Sequence, residues 1–141
     1  MFEVVVVGAD ASETSKRAVD AASEIAKKFG GALHIVTAYD PKSYEVKNVP
    51  AEFRSVNNES EVDAMLQVHS FIAAKHGLKA VLHKETGDPA DVIVDTATKV
   101  GADLVVVGNR GMRGVRRVLG SVPNTVAHGA PCSVAIIDTI E

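Results

Sequence analysis

The sequence predicts a doubly wound α/β fold: an open five-stranded parallel sheet with helices on both faces, three layers in all. Three observations carry this expectation. Val4 to Val7, Leu33 to Val36 and Leu104 to Val107 are short, continuous apolar runs rich in β-branched residues, the pattern of strands buried on both faces. The segments between them switch to a helical period. Strand and helix then alternate through nearly the whole chain, which places crossover helices on both sides of one sheet.

The elements follow in order. After the first strand, Ser12 is the expected N-cap of a helix whose apolar face carries Ala18, Ala22, Ile25 and Phe29 and which Gly30 and Gly31 close. The second strand is Leu33 to Val36. From Pro41 to about Asn58 no period holds and two prolines intervene, so a surface loop is expected there. Val62, Met65, His69, Ile72 and Ala73 mark a second helix, with His69 a partly buried residue of its face. A weaker strand, Ala80 to His83, leads to a third helix on Ala90, Ile93, Ala97 and Val100, capped by Asp88 with Pro89 at the first helical position. Beyond the fourth strand a helix is expected from about Ser121 to His128, and a last strand from Ser133 to Ile137.

The whole chain, 1–141, reads as one domain; 141 residues with 46% hydrophobic content suffice for one buried core. Fifteen basic against eighteen acidic residues leave a net charge of -3, so no overall field attracts nucleic acid or an anionic membrane. With no charged leader and no apolar run of about 18 residues, a cytoplasmic protein is expected. Cys132 is the single cysteine, which excludes an internal disulfide and reads as a core residue. The five histidines do not form a metal site: His34 and His83 belong to strands, His128 precedes a turn, and His69 and His76 stand seven apart on one helix, too far for i, i+4 ligation.

In an open parallel sheet the ligand crevice lies beyond the carboxyl ends of the strands, where the strand order reverses. Two segments compete for it, Gly8 to Ser12 and Gly108 to Ser121. The second carries four glycines, Gly108, Gly111, Gly114 and Gly120, before Ser121 opens a helix. Backbone N–H groups freed by glycine turns, with the positive end of a helix, bind anions without a metal. Arg110, Arg113, Arg116 and Arg117 concentrate positive charge beside that cradle, and guanidinium forks suit phosphate oxygens. The loop matches neither a Walker A sequence nor a dinucleotide fingerprint.

Gly108, Gly111, Gly120 and Ser121 resemble the G-x-x-G, spacer, G-S pattern of the nucleotide-binding branch of the universal stress protein family. Val7 to Ser12, Ala102 to Gly108 and Ala130 to Val134 are also similar to family members, so the resemblance covers all but the loop from Pro41 to Asn58. The spacer from Gly111 to Gly120 has eight residues where the commonest family form has nine, and Ala11 stands where glycine is usual. The resemblance implies an adenine nucleotide, ATP, AMP or cyclic AMP, in a stress-response or signalling module. It implies Asp10 at the base and ribose, the Ala38 backbone at the adenine edge, and Val107 with Gly108 near the sugar. Gly111, Gly120, Ser121 and Val122 would hold the phosphates, with Arg110 beside them and Mg2+ as their companion. It also implies a homodimer joined near Cys132 to Ile137.

No organised catalytic set is present in the sequence, and no catalytic residue is assigned. A weak ATP hydrolase with Asp10 orienting water is the enzymatic alternative; a ligand-free interaction domain is the other. A phosphorylatable receiver would share the alternating plan, yet of its required acids only Asp10 is in position.

Overall fold

The computed structural model describes residues 1–39, 58–109 and 122–139. Nine elements alternate in it: β1 (Val4–Gly8), α1 (Glu13–Phe29), β2 (Ala32–Tyr39), α2 (Asn58–Lys75), β3 (Val81–Thr86), α3 (Pro89–Val100), β4 (Leu104–Gly108), α4 (Val122–Gly129) and β5 (Ser133–Ile137). The five strands form one parallel sheet in the order β3-β2-β1-β4-β5. Chain order reverses between β1 and β4, and there the connections leaving the two strands diverge.

Alternation along the central strands divides the core between the two faces. Val5, Val7, Leu33, Ile35, Leu104 and Val106 pack with Ala18, Val19, Ala22 and Ala26 of α1 and Val62, Leu66 and Ala73 of α2. Val6, Val36, Val105 and Val107 pack with Ala90, Val92, Ile93 and Ala97 of α3 and Val126 of α4. Both faces of β1 and β4 are therefore dry, which is why their sequences are unbroken valine and leucine.

Helix ends follow the expected chemistry. The Ser12 side chain accepts from the Ser15 N–H, and α1 closes on Gly30 at φ 66°. Asp88 accepts from the Asp91 N–H ahead of Pro89, and α3 closes on Gly101 at φ 68°. Both closing glycines occupy the left-handed region that side chains disfavour.

Several expectations shift. The third strand is Val81–Thr86 rather than Ala80 to His83, so His83 lies inside it. It is an edge strand, half-exposed throughout, and without two dry faces it lacks the apolar run that marks the others. His76 falls one residue beyond α2, and His69 is 1% exposed, fully buried rather than partly. Phe29 ends α1 46% exposed because the helix stops as it passes the sheet, and its ring meets Phe2 edge-on at 5.3 Å. The expected loop from Pro41 lies outside the described residues, apart from Asn58, which starts α2.

Candidate functional site

Parallel pairing sets Gly8 opposite Val36, and Val7 opposite Val106, so β1, β2 and β4 end together at one edge of the sheet. Asp10 lies two residues past Gly8, Ala38 two past Val36, and Val107 and Gly108 one and two past Val106. Four of the predicted site residues are thus brought to the carboxyl ends of three neighbouring strands, at the reversal of strand order. Val122 opens α4 after the next connection. Arg110, Gly111, Gly120 and Ser121 lie outside the described residues.

The β1–α1 connection is built around Asp10. Its carboxylate accepts from the Ser12 N–H at 2.8 Å and from the Ser12 hydroxyl, which also lies 3.1 Å from the Thr14 hydroxyl. Its backbone N–H donates to Ser15 Oγ at 2.9 Å, and its carbonyl lies 3.1 Å from His69 Nε2. The preceding residue is fixed as well, the Ala9 N–H donating to the Val36 carbonyl at 2.9 Å. Backbone and side chain are both held, while the Asp10 side chain faces solvent.

A second set of tethers holds the end of β4. The Asn109 N–H donates to the Ile137 carbonyl, and the Asn109 side chain donates to Asp138 at 2.9 Å while accepting from the Thr139 N–H at 3.0 Å and hydroxyl at 3.2 Å. Thr139 is 1% exposed and lies over Gly108, where a Cβ would stand 2.9 Å from its Cγ2. Glycine at 108 lets the segment after β5 close over the end of β4. Sequence reasoning missed Ser15, His69, Asn109 and Thr139. Only the inward period of α2 signalled one of them.

Elsewhere, His34 Nδ1 and His83 Nε2 are 2.9 Å apart on neighbouring strands, away from the crevice. Their centroids are 5.1 Å apart, close to that separation plus the two ring radii, so the rings meet end to end in an N–H···N hydrogen bond. Burial first, then mutual repulsion, holds His34 below the usual histidine range; burial and Lys99 do the same to His83. Among the described residues no group of three or more His, Cys, Asp or Glu is placed to hold a metal, and no helix is long and apolar enough to cross a membrane.

The sequence pattern of the Universal stress protein family matches residues 1–138. A universal stress protein of Mycobacterium tuberculosis is 35% identical over 143 residues, covering 98% of this chain and 97% of its own. Among solved structures, a universal stress protein in complex with cAMP superposes with a TM-score of 0.80 at 35% identity, over 99% of this chain and 98% of the other. One from Archaeoglobus fulgidus in complex with dAMP gives 0.73 at 25% identity, over 96% and 98%. A five-stranded order that reverses between β1 and β4, an aspartate closing β1 and full-length similarity at this level converge, and the chain belongs to the universal stress protein family.

Proposed function

We propose that this chain is an adenine-nucleotide-binding module of stress response or signalling, with the nucleotide in the crevice between the β1–α1 and β4–α4 connections. The observation that carries the reading is the joint placement of Asp10, Ala38, Val107 and Gly108 at the carboxyl ends of β2, β1 and β4, where an open parallel sheet receives its ligands. Relatives solved with cAMP and dAMP support the choice of an adenine nucleotide.

In this reading Asp10 accepts hydrogen bonds from the ribose hydroxyls or base, and the Ala38 backbone meets the adenine edge. Val107 and Gly108 pack against the sugar. Gly111, Gly120, Ser121 and Val122 hold the phosphates by backbone N–H groups and the Ser121 hydroxyl, with Arg110 adding charge. Mg2+ accompanies the phosphates, whose oxygens are the hard donors it takes. The protein is a cytoplasmic homodimer joined along β5, an edge strand whose Ile136 is 40% exposed and whose outer side pairs with no other strand among the described residues.

Calorimetry with ATP, AMP and cyclic AMP on wild type and Gly120→Glu, with and without Mg2+, tests the site. Saturable binding by wild type and its loss in a Gly120→Glu variant of unchanged circular dichroism are expected. Binding that survives the substitution places the nucleotide elsewhere.

A further inference from the structure

His69 sits where the apolar stripe of α2 calls for an aliphatic side chain, between Leu66 and Ala73 of the core. Its Nε2 lies 3.1 Å from the Asp10 carbonyl and 3.4 Å from Ser15 Oγ. A carbonyl only accepts, so Nε2 carries the proton and donates, and Nδ1 is the bare nitrogen of a neutral ring. That Nδ1 is buried with no hydrogen-bond partner among the described residues. A leucine would fill the position without an orphaned polar atom, so the histidine is explained by what its other nitrogen does. Together with Ser15, which accepts the Asp10 N–H at 2.9 Å, it grips both backbone polar groups of Asp10, and it does so from a helix 59 residues away in sequence.

We infer that His69 is a positioning residue for the nucleotide crevice, holding the Asp10 peptide only while its buried Nδ1 is unprotonated, so that nucleotide binding and proton release are linked. The inference rests on the nucleotide reading above. A second proton would create a buried cation whose new N–H meets no acceptor among the described residues, which favours a loop opened to water.

Among the charged and titratable groups on the elements around α2 are Asp10 of the connection, Lys16 and Asp20 of α1, Tyr39 of β2 and Lys84 of β3, and of these Asp10 and Lys16 act on His69. Lys16 is paired with Glu13, Asp20 with His76, and Lys84 with Glu59 and Asp63. Burial pushes His69 below the usual histidine range; the hydrogen bond to Asp10 and the Asp10 charge oppose this, and Lys16 adds to it. Nucleotide affinity is therefore complete near neutral pH and falls only below the ordinary value of 6.5.

Cyclic AMP is the suitable probe, because its phosphodiester keeps one charge across this range. Wild-type affinity should be flat above about pH 7 and drop toward about tenfold per pH unit in acid. His69→Gln keeps an N–H donor of similar reach and does not titrate; near-wild-type affinity at neutral pH with a flattened profile is expected. His69→Leu should bind about tenfold more weakly at every pH. In ligand-free protein, nitrogen NMR should show the Nε2–H tautomer, with the Asp10 amide signal titrating together with His69. An acid slope that persists in His69→Gln overturns the inference. Should wild type bind no nucleotide, the nucleotide reading fails alone. The Asp10 amide then decides: co-titration with His69 upholds the positioning role, and independence from it overturns that role.

Discussion

The two ends of the sheet are closed by different means. At the amino end the backbone does most of the work: the Ala32 N–H donates to the Glu3 carbonyl at 2.8 Å, the Asp103 N–H to the Val4 carbonyl at 3.0 Å, and α1 and α3 terminate in left-handed glycines. The Asp103 carboxylate joins β4 to β1 by accepting from the N–H groups of Glu3 and Val4 at 2.8 and 3.0 Å. At the carboxyl end, side chains tie the connections down: Ser15 and His69 hold Asp10, while Asn109 and Thr139 hold the end of β4. Backbone closure leaves no room for a ligand, whereas side-chain tethers fix a loop and keep its outer surface open. The difference assigns stability chiefly to the amino end and suits the other end to the binding proposed above.

The sharpest way to break this contrast is at Gly31. A Cβ there would run into the Phe2 carbonyl oxygen and stand 3.0 Å from that of Glu3. Both obstacles are main chain beside β1 and cannot rotate away. Gly31→Ala should lose about 3 kcal/mol of unfolding free energy in urea, while the folded fraction binds cyclic AMP as wild type does. A loss below about 0.5 kcal/mol would show that the amino end is not tightly closed.

Asp103→Ala is the next largest. It removes two hydrogen bonds at a partly solvated position, a loss of about 1.5 kcal/mol at neutral pH. Burial raises the Asp103 carboxyl, but the N–H groups of Glu3, Val4 and Asp103 itself, with the charge of the N-terminus, together hold the group below its ordinary range. Its folded value being depressed, the stability it adds is present above the unfolded value of about 3.9 and is lost as pH falls through the lower folded value. The gap between wild type and Asp103→Ala should accordingly narrow in acid urea titrations. A gap that stays constant with pH would mean that the carboxylate charge plays no part in the closure.

The amino end is also the more legible of the two in the sequence. The stop at Gly30 is a local signal at that end, as are the apolar runs that lead β1, β2 and β4 away from it; the Asp88–Pro89 start is a local signal of the same kind at the opposite end. The strands run further than those signals, to Gly8, Tyr39 and Gly108, because pairing with a neighbour continues after hydrophobicity stops. Strand β3 is less legible because among the described residues it pairs on one side only and its side chains are half-exposed, leaving little pattern to read. At the carboxyl end the topological rule pointed to the segments Gly8 to Ser12 and Gly108 to Ser121, and the family resemblance named Asp10, Ala38, Val107 and Gly108, but neither gave what holds them. The His69 contact to Asp10 and the Asn109 contact to Thr139 join segments 59 and 30 residues apart. Such contacts depend on how a helix rotates on the sheet and where a terminal segment crosses it, which one-dimensional periodicity does not encode.

Gly8 gives the smallest effect and the finest test, because it resembles Gly31 in sequence yet differs in what confronts it. A Cβ at position 8 would stand 2.6 Å from Ile93 Cδ1 and 3.2 Å from Ile93 Cγ1. The obstacle is the far end of a side chain on α3, which can change rotamer, so Gly8→Ala should cost only about 1 kcal/mol. Ile93→Val removes Cδ1 and by itself should cost about 1 kcal/mol through lost burial. In the double variant the alanine methyl takes the vacated space, so the two losses should not add, with a favourable coupling of about 0.5 kcal/mol or more in a double-mutant cycle. Strict additivity would mean that the Gly8 cost lies in the backbone. The carboxyl end would then be as closed as the amino end, and the contrast drawn from side-chain tethers would not hold.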